Sequence, residues 1–255
     1  PSGSGKSTLI RLLLGFESAY GGTILFDGIS SRDVPMMQIR RQMDAVLQDE
    51  SLVPGTIRSN IVGMFDFREE EAWAAARVAQ LADEIAAMPM GMQTFASDRV
   101  LSTSQRQRLL IARAVVRRPK ILILDEAMSA LDEAMQTRLL NALRHWAAGT
   151  AGMTCVIVSH RPSLLAQMDR VFVFEHGALV DTRKGCHDAG DSGVAAFSNA
   201  GRIASPIPFR TEAVERLASP QAMDQLPRLV CAGPAWGLLA LGIAAAGAGA
   251  YLLGR

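Results

Sequence analysis

Cysteine is scarce: Cys155, Cys186 and Cys231 are the three in 255 residues, far apart and without metal or redox spacing. That excludes a disulfide scaffold and a cysteine-built metal site, and an odd, unpatterned count fits a reducing cytosol where thiols serve as small hydrophobes. Surplus charge is lacking too. Lys and Arg number 26 against 25 Asp and Glu, a net charge of +1, so no global basic field of the kind nucleic-acid binding needs is present. There is no internal repeat, and no low-complexity tract beyond an Ala/Gly bias near the end. No signal peptide is visible, and because the chain starts inside a motif its true N-terminus is not judged from it. Apolar residues, by contrast, are plentiful at 49%, slightly high for a purely soluble domain, which points to a membrane-facing part. The length allows one sizeable core with a small extra unit.

Up to about residue 185, short apolar runs alternate with helical patterns, the sequence sign of an α/β domain. "GTILFDG" (Gly22–Gly28) and "QMDAVLQ" (Gln42–Gln48) read as strands. "KILILDE" (Lys120–Glu126), "MTCVIVSH" (Met153–His160) and "RVFVFEHG" (Arg170–Gly177) are nearly continuous and β-branched, as buried parallel strands are. Apolar spacing predicts helices over Ser7–Leu14, Ser104–Arg117 and Asp132–Ala148, and another in the Ala/Glu-rich stretch Glu69–Met88.

Two stretches carry chemistry. "PSGSGKST" ends like a phosphate-cradling P-loop, a Gly, four residues, then Gly-Lys-Ser/Thr, whose leading Gly would precede Pro1. Ser2, Gly3, Ser4, Gly5, Lys6, Ser7 and Thr8 form the candidate nucleotide-binding loop: Gly3 and Gly5 let N–H groups point at phosphate, and the following helix adds its positive end. Lys6 can bridge the β- and γ-phosphates of ATP, and Ser7 can ligate Mg²⁺. In "ILILDE", four apolar residues carry Asp125 and Glu126 to the end of a buried strand. Asp125 is placed to hold Mg²⁺ through water, and Glu126 to polarise an attacking water as general base.

The order of P-loop, Gln48 in "VLQDESL", "LSTSQRQRLLIARA", "ILILDEAMSALD" and "VSHR" resembles the nucleotide-binding domain of ABC transporters, over about residues 1–185. The resemblance implies a P-loop NTPase fold: an α/β, RecA-like, mostly parallel sheet with a helical subdomain at about 57–117. It implies that Gln48 contacts Mg²⁺ and senses the membrane domain, and that His160 hydrogen-bonds the γ-phosphate and holds the attacking water. Asp132 would sit at the seam of a head-to-tail dimer with a second such domain. "LLGFE", "GTIRSNI", "MPMGMQT" and "RQRLLIARAVVRRPKILILDEAMSALD" resemble exporters, particularly those of the nitrile-hydratase-leader bacteriocin type, which move a peptide outward.

One motif departs from the family. Where the family has Leu-Ser-Gly-Gly-Gln, this chain has Leu101-Ser102-Thr103-Ser104-Gln105. In the family's dimer this segment closes on the partner's γ-phosphate, so Ser102, Thr103, Ser104 and Gln105 are candidate nucleotide contacts. Two added Cβ atoms and lost φ > 0 freedom predict crowding or strain of about 1–3 kcal/mol, 5- to 150-fold in closure of that one site. The run "TFASDRV" before it also lacks the family's Glu-Gly-Gly-like stretch, which bears on coupling to a transmembrane domain. Two readings stay open: half of an asymmetric pair that keeps Glu126 and His160, or a degenerate copy acting as a regulatory or scaffold partner. A non-transport ABC ATPase is a further alternative, though the basic surfaces or long coiled-coil insertions it would want are not in the sequence.

Residues 186–209 are rich in Gly, Ala, Ser and Pro and read as a linker, and residues 210–228 as two short cytoplasmic helices. Leu229–Gly254 has no charge in 26 residues. As a helix, Ala235–Leu253 would reach about 28 Å against roughly 30 Å of hydrocarbon, which predicts a transmembrane helix with Trp236 and Tyr251 near its ends. Residues 209–255 resemble the start of the periplasmic adaptor (membrane-fusion) proteins that accompany such exporters. The whole then reads as an ATP-hydrolysing subunit at the bacterial inner membrane, its ATPase domain cytoplasmic. ATP and Mg²⁺ would be its cofactors; an ABC transmembrane domain, an adaptor with its outer-membrane channel, and a peptide substrate would be its partners.

Overall fold

The computed structural model describes residues 5–97, 99–149, 152–175, 177–184, 207–208, 237–244 and 249–252. In chain order the first elements are α1 (Lys6–Leu13), β1 (Leu25–Phe26), β2 (Ile29–Ser30), α2 (Met36–Arg40), β3 (Met43–Val46), α3 (Ile57–Val62), α4 (Glu69–Val78) and α5 (Ala82–Ala87). There follow α6 (Thr103–Val115), β4 (Ile121–Asp125), α7 (Glu133–Ala148), β5 (Thr154–Ser159), α8 (Pro162–Leu165), β6 (Arg170–Glu175), β7 (Ala178–Lys184), β8 (Ile207–Pro208), β9 (Gly237–Ala244) and β10 (Gly249–Leu252). The chain divides into two compact units, residues 1–43 with 154–255, and residues 44–153.

In the first unit, β5 is nearly all buried, as its unbroken Cys155–Val158 run requires. It pairs in parallel with β9 from Thr154↔Gly237 to Ser159↔Gly242, and β9 pairs in parallel with β6 at Arg170↔Leu239 and Val171↔Ala240. β10 turns back antiparallel to β9 and to β6, β6 and β7 are antiparallel, and β8 lies on β7. In this unit parallel pairings of β9 with β5 and β6 are thus joined by antiparallel ones at β10, β7 and β8. "GTILFDG" is no single strand: β1 and β2 form a tight hairpin through Asp27 and Gly28, both left-handed. The far end of α1 is tied to α2 by Arg40, whose guanidinium donates to the Leu14 and Gly15 carbonyls at 2.9 and 2.6 Å, a cation at a helix C-terminus.

The charge-free tail differs from the expected helix. Where it is described, it forms the strands β9 and β10, and no helix among the described residues is long and apolar enough to cross a membrane. An apolar run without polar punctuation satisfies a buried strand as well as a helix, and periodicity alone does not separate the two. Its glycines lower helix propensity further, and β9 satisfies its backbone against a strand on each side. Ile207–Pro208, inside the expected linker, is the short strand β8; the expected helices over 210–228 lie outside the described residues.

The second unit is mainly helical and holds α3 to α6 together with β4 and α7, bounds wider than the expected 57–117. Ile57, Ile61, Ala72, Ala75, Ala76, Leu81, Ile85, Leu109 and Ile111 are fully buried, the apolar faces of α3 to α6 closing on one another. Asn60 is buried among them and satisfied, accepting from Val53 N–H at 2.9 Å and donating to the Val53 and Thr56 carbonyls. Glu69–Met88 is two helices, not one. Gln80 takes a left-handed φ of 56° and ends α4, and Arg108 of α6 donates to its carbonyl, holding the break in place. β4 carries Leu122, Ile123 and Leu124, each fully buried, as the sequence pattern requires.

Candidate functional site

The candidate residues fall on both units. In the first, Gly5 is the residue before α1, at φ 90° and ψ 0°, and among the described residues no side chain caps the helix. Glycine is required there twice over. The left-handed backbone strains any L side chain, and an added Cβ would lie 3.2 Å from the Gly177 Cα. Lys6 and Ser7 open the helix, Lys6 half-buried and Ser7 and Thr8 exposed, with Gly5 C=O already accepting from Leu9 N–H at 2.9 Å. Ser2, Gly3 and Ser4 lie outside the described residues. His160 follows β5 directly and is exposed, while Ser159 beside it accepts from Arg161 N–H at 3.2 Å, shaping the turn into α8.

In the second unit β4 ends on Asp125, 7% exposed, and Glu126 follows with φ 53°. A left-handed glutamate is sparsely populated, and such strain collects where a side chain must be aimed. The turn after it is closed by bonds from Ser129 N–H to Glu126 C=O at 3.0 Å and from Leu131 N–H to Met128 C=O at 3.1 Å. Asp132 caps α7, its carboxylate accepting from Met135 N–H at 2.8 Å. Gln136, 2% exposed, donates to Met128 and Leu131 C=O from inside that helix.

Gln48 is exposed two residues past β3, on a turn that Glu50 braces. The Glu50 carboxylate accepts from Leu47 N–H and pairs with Arg113 of α6. Asp44 on β3 faces Arg117 at 3.0 Å, an ion pair by distance whose alignment does not make a hydrogen bond, leaving Oδ2 without a bonded partner. Burial pushes the Asp44 carboxyl up to about 6 against the opposing pull of Arg117. Two arginines on α6 and just beyond its end thus hold the strand and turn that present Gln48.

The altered signature is resolved in detail. Thr103 and Ser104 are the first two residues of α6, neither with positive φ, so the strain expected from replacing two glycines is not in this conformation. Ser102 is the N-cap, accepting from Gln105 N–H at 3.2 Å, while Gln105 Oε1 accepts from Ser102 N–H at 2.8 Å: a complete capping box. The other end of Gln105 donates to Glu84 at 2.7 Å, and Glu84 pairs with buried Arg108 at 2.6 Å. Partial burial alone would raise the Glu84 carboxyl, but hydrogen bonds from Arg108 and Gln105 and the guanidinium charge outweigh it and hold it below its ordinary value. Gln105, a candidate nucleotide contact, is thus engaged at both ends of its amide in structure. Ser102 keeps a hydroxyl proton to donate.

What sequence reasoning missed is Gln107, whose amide joins α6 to Ser129 and Ala130. Its type and spacing are those of any exposed helical Gln. The capping box was missed as well, although Ser-x-x-Gln before an apolar run is its signal.

In the first unit a left-handed glycine, a lysine and a hydroxyl open α1, donors of the kind a phosphate group takes. In the second, a buried carboxylate ends β4. Among the described residues no cluster of three or more His, Cys, Asp or Glu could hold a metal alone. Mg²⁺ is commonly held by one or two protein oxygens with phosphate and water, and Asp125 in the second unit is a carboxylate of that kind.

Comparison with known proteins agrees. The family model described as ABC transporter matches residues 1–129. An uncharacterized ABC transporter ATP-binding protein, YwjA, of Bacillus subtilis (strain 168) is 40% identical over 182 residues, 70% of this chain and 31% of the relative. The ATP-dependent lipid A-core flippase of Burkholderia orbicola (strain AU 1054) is 41% identical over 190 residues, 74% of this chain and 31% of the relative. The solved structure of a bacterial Atm1-family ABC exporter with ATP bound superposes with a TM-score of 0.66 at 36% identity, covering 72% of this chain and 32% of that one. The chain spans about a third of the length of these relatives.

Proposed function

Because this chain belongs to the ABC transporter family and carries its ATP-binding domain, an ATPase domain, we propose that it binds MgATP and hydrolyses it to power export of a peptide across the bacterial inner membrane. The observation that carries the reading is Glu126, held left-handed at the end of a buried strand beside buried Asp125. Lys6 Nζ neutralises phosphate oxygens, and the α1 terminus adds its dipole. Ser7 Oγ and Asp125, with Gln48, would hold Mg²⁺, which would supply charge to offset the phosphate. The Glu126 carboxylate takes the proton of the attacking water, and His160 donates to the γ-phosphate and steadies that water.

The proposed partner is a second ATP-binding domain, head-to-tail, whose γ-phosphate meets Ser102 and the α6 terminus and whose seam includes Asp132. An ABC transmembrane domain completes the exporter, with this domain on the cytoplasmic side. The peptide cargo rests on the resemblance of "GTIRSNI" and its companions to bacteriocin exporters, and a periplasmic adaptor with an outer-membrane channel on that of residues 209–255. The self-contained cap at Ser102–Gln105, beside an intact Asp125–Glu126, favours an asymmetric pair in which this chain supplies the working acid and a weaker signature.

The full chain is expected to hydrolyse MgATP. Glu126→Gln should lower turnover by about 10³-fold, within the usual reach of general-base catalysis, while ATP affinity changes less than about 2-fold. Undiminished turnover in that variant removes Glu126 from the role of base.

A further inference from the structure

We propose that Gln107 is a positioning residue that couples the orientation of α6 to the turn presenting Glu126. Its Nε2 donates to Ser129 Oγ at 2.9 Å and its Oε1 accepts from Ala130 N–H at 2.9 Å, bonds that span 22 and 23 residues of sequence. Ser129 in turn donates its N–H to Glu126 C=O at 3.0 Å, so two hydrogen bonds through Ser129 link the amide to the peptide that carries the acid. Gln136 grips the same turn from α7 through Met128 and Leu131 C=O. Those bonds are local to α7 and its lead-in; the Gln107 fork reaches across to another element.

A left-handed glutamate persists only where its surroundings over-determine it. The planar amide fixes two bonds at once, so α6 cannot rotate about its axis without dragging Ser129 and Ala130 or breaking both. α6 also carries the Ser102 cap at its start and Arg113, which pairs with Glu50 beside Gln48. Displacement of this helix therefore reaches the acid-bearing turn within the same chain, by a route separate from nucleotide contact. The inference rests on the reading of Glu126 as base.

The test is Gln107→Leu in the full chain, a substitution of similar size that removes both bonds. Ala130 N–H should exchange with solvent about 5-fold faster, as loss of one ordinary hydrogen bond allows. kcat for ATP should fall about 10-fold with KM within 2-fold, since the acid is misplaced and binding is untouched. Gln107→Glu should restore most of both, because a carboxylate accepts from Ala130 N–H and from the Ser129 hydroxyl. Unchanged exchange overturns the proposal, and so does faster exchange with unchanged kcat. If Gln107→Leu does not fold, Ser129→Ala removes one tine at an exposed position, and a smaller kcat loss upholds the fork while none overturns it. Should Glu126→Gln leave turnover intact, the base assignment has failed, and Ala130 exchange alone decides the fork: acceleration upholds it, no change overturns it.

Discussion

The starts of α1 and α6 are both candidate phosphate contacts, and they are built in opposite ways. α1 begins on a left-handed glycine, with no side chain among the described residues capping it and a basic residue in its first position. α6 begins on Ser102 with a reciprocal capping box, and Glu84 and Arg108 lock the box from behind. A helix end without a side-chain cap is prepared for an external anion. The α6 end, which caps itself, has its Ser102 oxygen and Gln105 N–H already engaged and offers the Ser102 hydroxyl proton instead. Under the proposed function the difference sets an order of events to test: nucleotide seats first at α1, and the α6 terminus engages only when a partner brings phosphate to it.

Changes at Gly5 should break this contrast most. Gly5→Ala forces a Cβ onto a φ of 90° and to 3.2 Å from Gly177, and strain of about 1–3 kcal/mol should weaken ATP binding about 10- to 100-fold. Next is the lock behind α6. Glu84→Gln leaves Arg108, almost wholly buried, without its counter-charge. With the carboxylate itself part-exposed, about 1–2 kcal/mol of stability should be lost at pH 7, read as a lower Tm. Because the folded Glu84 carboxyl lies below its ordinary value of 4.5, its contribution is present above that value and fades as pH falls through the folded one. The Tm gap between wild type and Glu84→Gln should therefore close in acid. The smallest effect is expected from restoring glycines. Thr103→Gly with Ser104→Gly relieves no backbone strain, so turnover should rise less than about 5-fold, against helix-propensity costs of about 0.5–1 kcal/mol per site. A rise of 50-fold or more would mean that crowding at the closed dimer dominates.

Much of this arrangement could be read from the residues. The run Ile121–Leu124 before Asp125 is apolar on both faces and had to be a buried strand, and Asp132 before Glu133 is a plain N-cap signal. The Ser102–Gln105 box had its signal in Ser-x-x-Gln, although its consequence, a signature free of backbone strain, was not legible. Three features were hidden for physical reasons. The left-handed Gln80 interrupts a continuous Ala/Glu pattern because Arg108, 28 residues away, bonds its carbonyl, and local propensity does not register such a contact. The Gln107 fork is likewise a long-range pairing of ordinary polar residues. The tail's charge-free run had a strand and a helix as alternatives of similar apolar content, and sheet pairing on both sides of β9 decided for strand where the chain is described.

The most direct test titrates MgATP into the full chain carrying Gly5→Ala or Ser102→Ala, at a concentration where single chains do not pair. If nucleotide seats at α1 alone before any partner arrives, Gly5→Ala weakens binding about 10-fold or more and Ser102→Ala leaves the Kd within about 2-fold, its lost cap showing only in stability. Equal weakening by both substitutions, or an effect of Ser102→Ala alone, would contradict it.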